Sequence, residues 1–391
     1  MRMRFPDDVP LLTDGTVKLR AHVADDLEGI WEQCKDPATQ QFTGVPVPYS
    51  RDDARRFVET RGQAWEDADA WSFAIESPWG TEASGFSGSI DLHHRGSGVA
   101  DIGFGAHPDA RGHGVVSRAV TLIADWAFAE QDLRTIVWRA YEGNTASRRV
   151  AWKTGFTFEG STRGTIPQRQ TVRDGWTATL LSTDTREPKT RWLDPVTIEN
   201  DRVRLRELRL GDERRYLETN NDPETLQWLG TIPFPRDGDH FRRHLARRAA
   251  SFSSGDVVEW AVADPEEDSY VGTVTLFGLN GLDYQSAEVG YRTHPDCRGK
   301  GLLKAALRLA LDHAFAHEED GGLGLTRISL NAGVGNEGSQ AVALALGFTE
   351  TGRDRLCYDL YDGSIVDLVR FDLLKREMDG RQRRSRADRL T

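Results

Sequence analysis

Two short stretches combine residue types and spacing suited to holding an anion: Arg111-Gly112-His113-Gly114-Val115 and Arg298-Gly299-Lys300-Gly301-Leu302. Each follows a strand-like run and a His-Pro pair, His107-Pro108 or His294-Pro295. Proline biases the residue before it to extended backbone, so each strand should end at its histidine. Each stretch leads into an apolar helical pattern, with Val116, Val120 and Ile123 in one copy and Leu303, Leu307 and Ala310 in the other. A helix start offers unpaired N–H groups and a partial positive charge. Glycines before it let phosphate oxygens come close to the backbone. The reading is a strand, a phosphate cradle and a helix, present twice. The triphosphate-binding P-loop pattern is absent, and the dinucleotide glycine pattern is broken by Ser117 and Lys304 at its last position. A bare structural corner would use the same glycines, but a second copy in the same context favours the cradle.

The two turns resemble the Gln/Arg-x-x-Gly-x-Gly/Ala acyl-CoA signature of the GNAT N-acetyltransferase superfamily, with Val116 and Leu303 where the signature has Gly or Ala. Asn144-Thr145-Ala146-Ser147 before Gly155-Phe156, and Asn336-Glu337-Gly338-Ser339 before Gly347-Phe348, are similar to that family's Asn-x-x-Ser…Gly-Phe block. The likeness covers nearly the whole chain twice and looks closest to the branch that acetylates N-terminal alanines of ribosomal proteins. It implies that Arg111, Gly112, His113, Gly114, Val115 and Asn144 bind acetyl-CoA or another short acyl-CoA in one half. Arg298, Gly299, Lys300, Gly301, Leu302 and Asn336 would do so in the other. It implies also that Asp101 and Glu288, on the strand entering each cradle, take the base position, with solvated or ion-paired carboxylates as the plainer alternative. The tyrosine that protonates the leaving thiolate in many members is replaced by Ala151 and Ala343, which leaves Ser147 and Ser339 as substitutes. Helix capping is the bland role for both serines and both asparagines.

The resemblance implies the chemistry. An amine must be neutral to attack a thioester, a carboxylate can take its proton, and the carbonyl oxygen needs an N–H donor as it becomes negative. Neither a cysteine nor a serine stands in a nucleophile motif with a histidine partner, so direct transfer in a ternary complex is expected rather than an acyl-enzyme. The rival readings are one working half beside a structural partner, and an acyl-CoA-binding sensor or scaffold without turnover.

These elements need a frame, and the repeat supplies one. Arg298 follows Arg111 at an offset of 187 (298 − 111), and Gly347 follows Gly155 at 192 (347 − 155), so copy two carries five extra residues, placed in the acidic, Gly-rich 318–324. Residues 1–185 are expected to form one GNAT-like domain, 186–195 a linker, 196–378 a second such domain, and 379–391 a basic disordered tail. The fold class is α/β (mixed α+β), each domain a mainly antiparallel mixed sheet flanked by helices. Copy one should place helices near 24–35 and 52–66 and strands near 71–76 and 86–93. Copy two should place helices near 212–219 and 238–252 and strands near 257–263 and 271–278. Between the helices lie loops rich in aromatics and proline, with Phe42, Val45, Pro46, Pro48 and Tyr49 in copy one, and Trp228, Leu229, Ile232, Pro233, Phe234 and Pro235 in copy two. The resemblance makes them walls of the acceptor site.

The net charge of −11 argues against a nucleic-acid partner. Three cysteines without a C-x-x-C pair fit a reducing cytoplasm and give no metal site. No apolar run approaches ~18 residues, so no membrane span is expected. The expected acceptor is a small-molecule amine or a protein N-terminus, and the expected assembly a monomeric pseudo-dimer or a homodimer.

Overall fold

The computed structural model describes residues 6, 8–229, 236–281 and 285–379, apart from the side chains of 249 and 250. The chain divides into two compact units, Met1–Thr190 and Arg191–Thr391. The expected basic tail and residues 232–235 of the second aromatic loop lie outside the described residues.

In the first unit the order is β1 (Leu12–Thr13), β2 (Lys18–Arg20), α1 (Leu27–Lys35), α2 (Pro37–Phe42), α3 (Arg51–Glu66), β3 (Ala70–Glu76), β4 (Phe86–Gly96), β5 (Val99–Ala106), α4 (Val115–Glu130), β6 (Thr135–Tyr141), α5 (Thr145–Lys153), β7 (Thr157–Gln168) and β8 (Thr171–Leu181). The second repeats it: β9 (Ile198–Glu199), β10 (Arg204–Arg206), α6 (Glu213–Asn221), α7 (Pro223–Gln227), α8 (Gly238–Phe252), β11 (Val258–Ala263), β12 (Tyr270–Phe277), β13 (Ser286–Thr293), α9 (Leu302–Phe315), β14 (Arg327–Gly333), α10 (Glu337–Leu346), β15 (Thr349–Asp359) and β16 (Ile365–Leu374). Each unit is one 8-stranded sheet in the equivalent order, β1-β2-β3-β4-β5-β6-β8-β7 and β9-β10-β11-β12-β13-β14-β16-β15. All neighbours pair antiparallel except β5 with β6 and β13 with β14. The mixed, mainly antiparallel architecture expected from the sequence is therefore what forms, and the helices and strands expected there each have a counterpart within a few residues.

Short α2 and α7 were not expected. Each starts at an Asp-Pro step, where the Asp36 or Asp222 carboxylate accepts from the third residue's amide at 2.9 Å and proline occupies the first turn. The five extra residues of copy two fall between α9 and β14, where a short 3-10 turn spans Glu318–Asp320. The linker is not loose. Trp152 Nε1 donates to the Thr190 carbonyl at 2.9 Å, while Leu193 is buried and its amide donates to the Phe252 carbonyl at 2.9 Å.

The same buried ion pair anchors the first helix in both units. Arg20 forks onto both oxygens of Asp26 at 2.8 Å, and Arg206 onto both of Asp212 at 2.8 Å. Asp26 and Asp212 also accept the backbone amides of Val23 and Arg209 at 2.9 Å, so strand end and helix start are one unit. Burial would raise the Asp26 carboxyl, but Arg20 and the Val23 amide overcome it and hold it below the usual range. No described helix is long and apolar enough to cross a membrane, and the described residues hold no metal-like group of His, Cys, Asp and Glu.

Removing one partner strands a buried charge. Arg20→Ala and Arg206→Ala should each cost about 3–5 kcal/mol in chemical denaturation. The Asp26 contribution should be present above pH ~4 and fade as pH falls through the depressed carboxyl, because the unfolded state then binds the proton first. A loss under about 1 kcal/mol for both variants would mean the pair is dispensable.

Candidate functional site

The cradle begins where each strand stops. β5 ends at Ala106 and β13 at Thr293, and the buried His107 and His294 follow. Their Nε2 atoms lie 3.3 Å from Glu32 and 3.0 Å from Glu218, and their Nδ1 atoms accept the amides of Asp109 and Asp296. Gly114 and Gly301 then cap α4 and α9, both at φ +72°. A side chain at Gly112, Gly114 or Gly299 would meet nothing within 4 Å, so glycine is required there by conformation, and the space above the turn is open. The helical ladder starts with Arg118 to Gly114 and Ala305 to Gly301, both at 3.2 Å. The amides of Val115, Val116 and Ser117, and of Leu302, Leu303 and Lys304, therefore have no acceptor within the helix. Val115 is buried and Leu302 packs against the core, so these two anchor the helix by side chain and face the turn by backbone.

The charged residues of the two turns differ in their surroundings. Arg111 donates to Asp36 at 2.6 Å and Thr39 at 3.2 Å. Arg298 donates to Asp222 at 2.5 Å, Glu224 at 2.8 Å and Thr225 at 2.8 Å. Both arginines tie the turn to α2 or α7 through a carboxylate. His113 stacks on Trp79 at 4.7 Å and 8°. Lys300 is exposed, and its carbonyl accepts from Arg202 at 2.7 Å. Arg202, beside Gly301, is a cation the sequence reading missed; only the fold brings the segment before β10 to this turn.

Beside each cradle the parallel strands part. β5 and β6 pair from Val99↔Thr135 to Ile102↔Trp138, yet run on to Ala106 and Tyr141. β13 and β14 pair only from Ser286↔Arg327 to Glu288↔Ser329, yet run on to Thr293 and Gly333. From Gly103 and Val289 onward one edge of the strand stays bonded to β4 or β12 and the other loses its partner strand. This leaves a wedge with backbone N–H and C=O groups along one wall.

The two carboxylates at the wedge differ. Asp101 accepts from Arg95 at 2.5 Å and Arg139 at 2.7 Å, both on one oxygen. Burial pushes the Glu288 carboxyl above its ordinary range, and a hydrogen bond from Asn331 and the charge of Arg370 only partly oppose this. Asn331 stands where the first unit has Arg139, which is why one acid is clamped and the other is not.

The serines sit at the helix starts facing the wedge. The Asn144 and Asn336 carbonyl oxygens cap α5 and α10 by accepting the Ser147 and Ser339 amides at 3.2 and 3.1 Å. The capping role is therefore filled by both asparagines. Ser147 Oγ accepts from Trp138 Nε1 at 3.0 Å. Ser339 Oγ instead pairs with the Tyr291 hydroxyl at 2.9 Å, and burial pushes that phenol up to about 12. Tyr291 is a second functional candidate missed from sequence; its counterpart is Phe104, and only β13's position beside α10 reveals it.

The aromatic loop between the helices is tied down by the last hairpin. Tyr358 donates to the Trp228 carbonyl at 2.6 Å, and the Trp228 ring covers Gly333 and Gly335. In the first unit Gln168 donates to the Gln41 and Thr43 carbonyls at 2.8 and 3.2 Å. Tyr49, expected as wall, is buried in a cluster with Ile30 and Cys34.

The profile of the acetyltransferase (GNAT) domain matches this chain twice, over residues 16–157 and 202–349. The chain is 32% identical over 187 residues to the "Putative ribosomal N-acetyltransferase YdaF" of Bacillus subtilis, covering 46% of this chain and 96% of that protein. It is 28% identical over 188 residues to the "Uncharacterized N-acetyltransferase p20" of Bacillus licheniformis, covering 47% and 99%. Among solved structures, Mycobacterium smegmatis RimJ in complex with CoA-disulfide is 22% identical with a TM-score of 0.43, covering 47% of this chain and 90% of that one.

Gly114→Ala and Gly301→Ala should each lower stability by about 1–2 kcal/mol, the cost of a left-handed non-glycine residue. No clash is added, since a Cβ at Gly114 meets nothing within 4 Å and one at Gly301 comes no closer than 3.5 Å to Arg202. A loss beyond about 3 kcal/mol in denaturant titration would mean that packing, not conformation, demands glycine.

Proposed function

This chain belongs to the GNAT acetyltransferase family, and we propose that it moves an acetyl group from acetyl-CoA to a primary amine, a small molecule or a protein N-terminus, by direct attack in a ternary complex. The observation that carries this reading is the wedge opening directly beside an open glycine cradle, in both units. The free first-turn amides of α4 and α9 suit a pyrophosphate, and the wedge admits a narrow extended chain. Acetyl-CoA supplies the activated acyl group; everything else is done by side chains and backbone.

In the second unit Glu288 takes the proton from the acceptor ammonium. An alkyl amine with a pKa near ~10 is neutral in roughly one molecule per thousand at neutral pH, so a nearby base matters. A carboxyl raised by its surroundings is better matched to that task than an ordinary one. The unpaired backbone edge of β13 offers N–H donors where negative charge develops on the carbonyl oxygen. The Tyr291–Ser339 pair stays protonated at neutral pH and can donate to the departing sulfur. The first unit has the same cradle and wedge, but its Asp101 is held by two arginines and its Ser147 has an indole as partner. Both units then bind CoA while the second carries most of the turnover.

Calorimetric titration with CoA should give two sites on the parent and one on each of Gly114→Glu and Gly301→Glu, since a carboxylate in the cradle repels phosphate. A parent stoichiometry of one would defeat the two-cradle reading.

In a Gly114→Glu background, Glu288→Gln should lower kcat/KM about a hundredfold at neutral pH with CoA affinity unchanged. The deficit should shrink as pH rises and the amine deprotonates unaided. Because burial disfavours the ionised carboxyl, Glu288→Gln should melt no lower than the parent at pH 7. A loss equal at every pH, or one accompanied by weaker CoA binding, would make Glu288 structural.

A further inference from the structure

Each wedge opens beside a glycine, Gly103 in β5 and Gly290 in β13, at the repeat offset of 187 (290 − 103). What stands over that glycine differs. A Cβ on Gly290 would come within 3.0 Å of the Phe277 ring, so hydrocarbon covers it. A Cβ on Gly103 would come within 2.8 Å of Asp91 Oδ1. Asp91 is the register partner of Gly103 on β4, so its carboxylate lies over the backbone at the point where β6 departs. Asp101, two residues earlier on β5, is instead held by Arg95 and Arg139.

The difference is a swap across one strand pair. Ser72 faces Asp91 in the first unit, and Glu259 faces Thr275 in the second. The acid therefore stands on the strand next to β5 in one unit and one strand farther from the wedge in the other. Glu259 is buried, 2.6 Å from His244 Nε2, and accepts from the Thr275 hydroxyl at 3.1 Å. Asp91 is less enclosed. His93 Nε2 lies 2.6 Å from its Oδ1, Arg61 Nη1 lies 4.0 Å from its Oδ2, and 15% of the side chain is exposed.

The surroundings of Asp91 are polar and incompletely paired. Arg61 Nε, Ser72 Oγ, Gln33 Oε1 and both ring nitrogens of His22 are buried and find no hydrogen-bond partner among the described residues. Folded proteins seldom leave so many buried polar atoms unpaired in one place, and such a group marks a polar site, not a core. The four side chains come from α3, β3, α1 and the segment after β2, and they converge on the face that carries Asp91 and Gly103. Ser72 is opposite Asp91, Arg61 is beside it, and His22 feels the charges of both Asp91 and Arg61. Gln33 Nε2 lies 2.8 Å from the Cβ position of Gly105, the next residue of β5 on that face. Burial pushes His22 down to about 4, so at neutral pH it adds no charge. The second unit has Leu208 in place of His22 and Phe277 in place of His93, which makes the same region apolar.

We propose that the proton acceptor of the first unit is Asp91 on β4, in place of Asp101 on β5. This rests on the acetyl-transfer reading of the first wedge. An acceptor ammonium beside Gly103 gives one proton to Asp91, which passes it to solvent through His93, whose side chain is 45% exposed. The neutral nitrogen then forms the N–C bond to the acetyl carbon. The C–S bond breaks with its electron pair on sulfur, and the surplus proton of the nitrogen ends on that thiolate. Arg61 and His22 face Asp91, and the charges of Asp69 and Arg61 reach His93, so one guanidinium is the fixed cation of the group. The first unit thus keeps its smaller share of turnover through a base of its own.

The test uses the full chain carrying Gly301→Glu, which leaves the first cradle working, with acetyl-CoA and with tyramine, spermidine and alanyl-alaninamide as acceptors. Release of CoA should be measurable with at least one of the three. In that background Asp91→Asn should lower kcat/KM about a hundredfold at neutral pH, through kcat, with CoA affinity by calorimetry unchanged. The deficit should shrink as pH rises and the amine deprotonates unaided. Gly103→Ala keeps the carboxylate and its partners but sets a methyl between it and the wedge. It should lower kcat about tenfold with CoA binding kept, which reports an intact fold. Unchanged turnover in Asp91→Asn, or a larger loss from Asp101→Asn than from Asp91→Asn, would overturn the inference and leave the acetyl-transfer reading standing. A loss equal at every pH would overturn it as well, as would CoA release by the Gly114→Glu chain and none by the Gly301→Glu chain. No transfer to any amine by the parent would sink both.

Discussion

A parallel strand pair that separates partway along its length is the constraint on which the rest of this protein depends. Pairing stops at Ile102↔Trp138 and Glu288↔Ser329, and the strands continue without each other. Unpaired backbone is costly unless something else bonds to it, so a fold keeps such an edge only when the surroundings hold it open. Here the left-handed glycine turn swings α4 and α9 away from the strand end, and the Asn-capped α5 and α10 begin where the other strand ends. The cradle, the wedge and the capped serines are one geometric solution, built twice.

The frame around the wedge is held by charges placed where water is scarce. The Arg20–Asp26 and Arg206–Asp212 pairs join strand to helix, and Arg111 and Arg298 join the turn to α2 and α7. In both units the arginine of the cradle motif keeps the short second helix against the turn.

The units keep this frame and diverge in what faces the wedge. Arg139 against Asn331 decides whether the nearby carboxylate is clamped or left with a raised pKa. Phe104 against Tyr291 decides whether the serine has a hydroxyl partner. Gly105 against Arg292 decides whether the strand end meets the first helix through a glycine or through a guanidinium bonded to Asn220. Each is a single exchange at a strand position, where alternation fixes the face and the substitution changes only the chemistry.

The duplication, the strand-turn-helix order, the glycine turn and the place of Glu288 on the strand before it were legible in the chain itself, because they depend on local backbone preference and on period. His-Pro ends a strand, glycine permits the left-handed cap, and a repeat at fixed offset gives the domain plan. Partners far apart in sequence were not legible. Arg298 meeting Asp222, Arg202 reaching the Lys300 carbonyl, Tyr291 pairing with Ser339 and Arg292 with Asn220 join residues separated by 48 to 98 positions. The role of a charged side chain is set by the nearest opposite charge or hydrogen-bonding group in space. Sequence supplied the acids, cations and hydroxyls; only the closed sheet and its packed helices decided which of them were already paired and which were left facing the wedge.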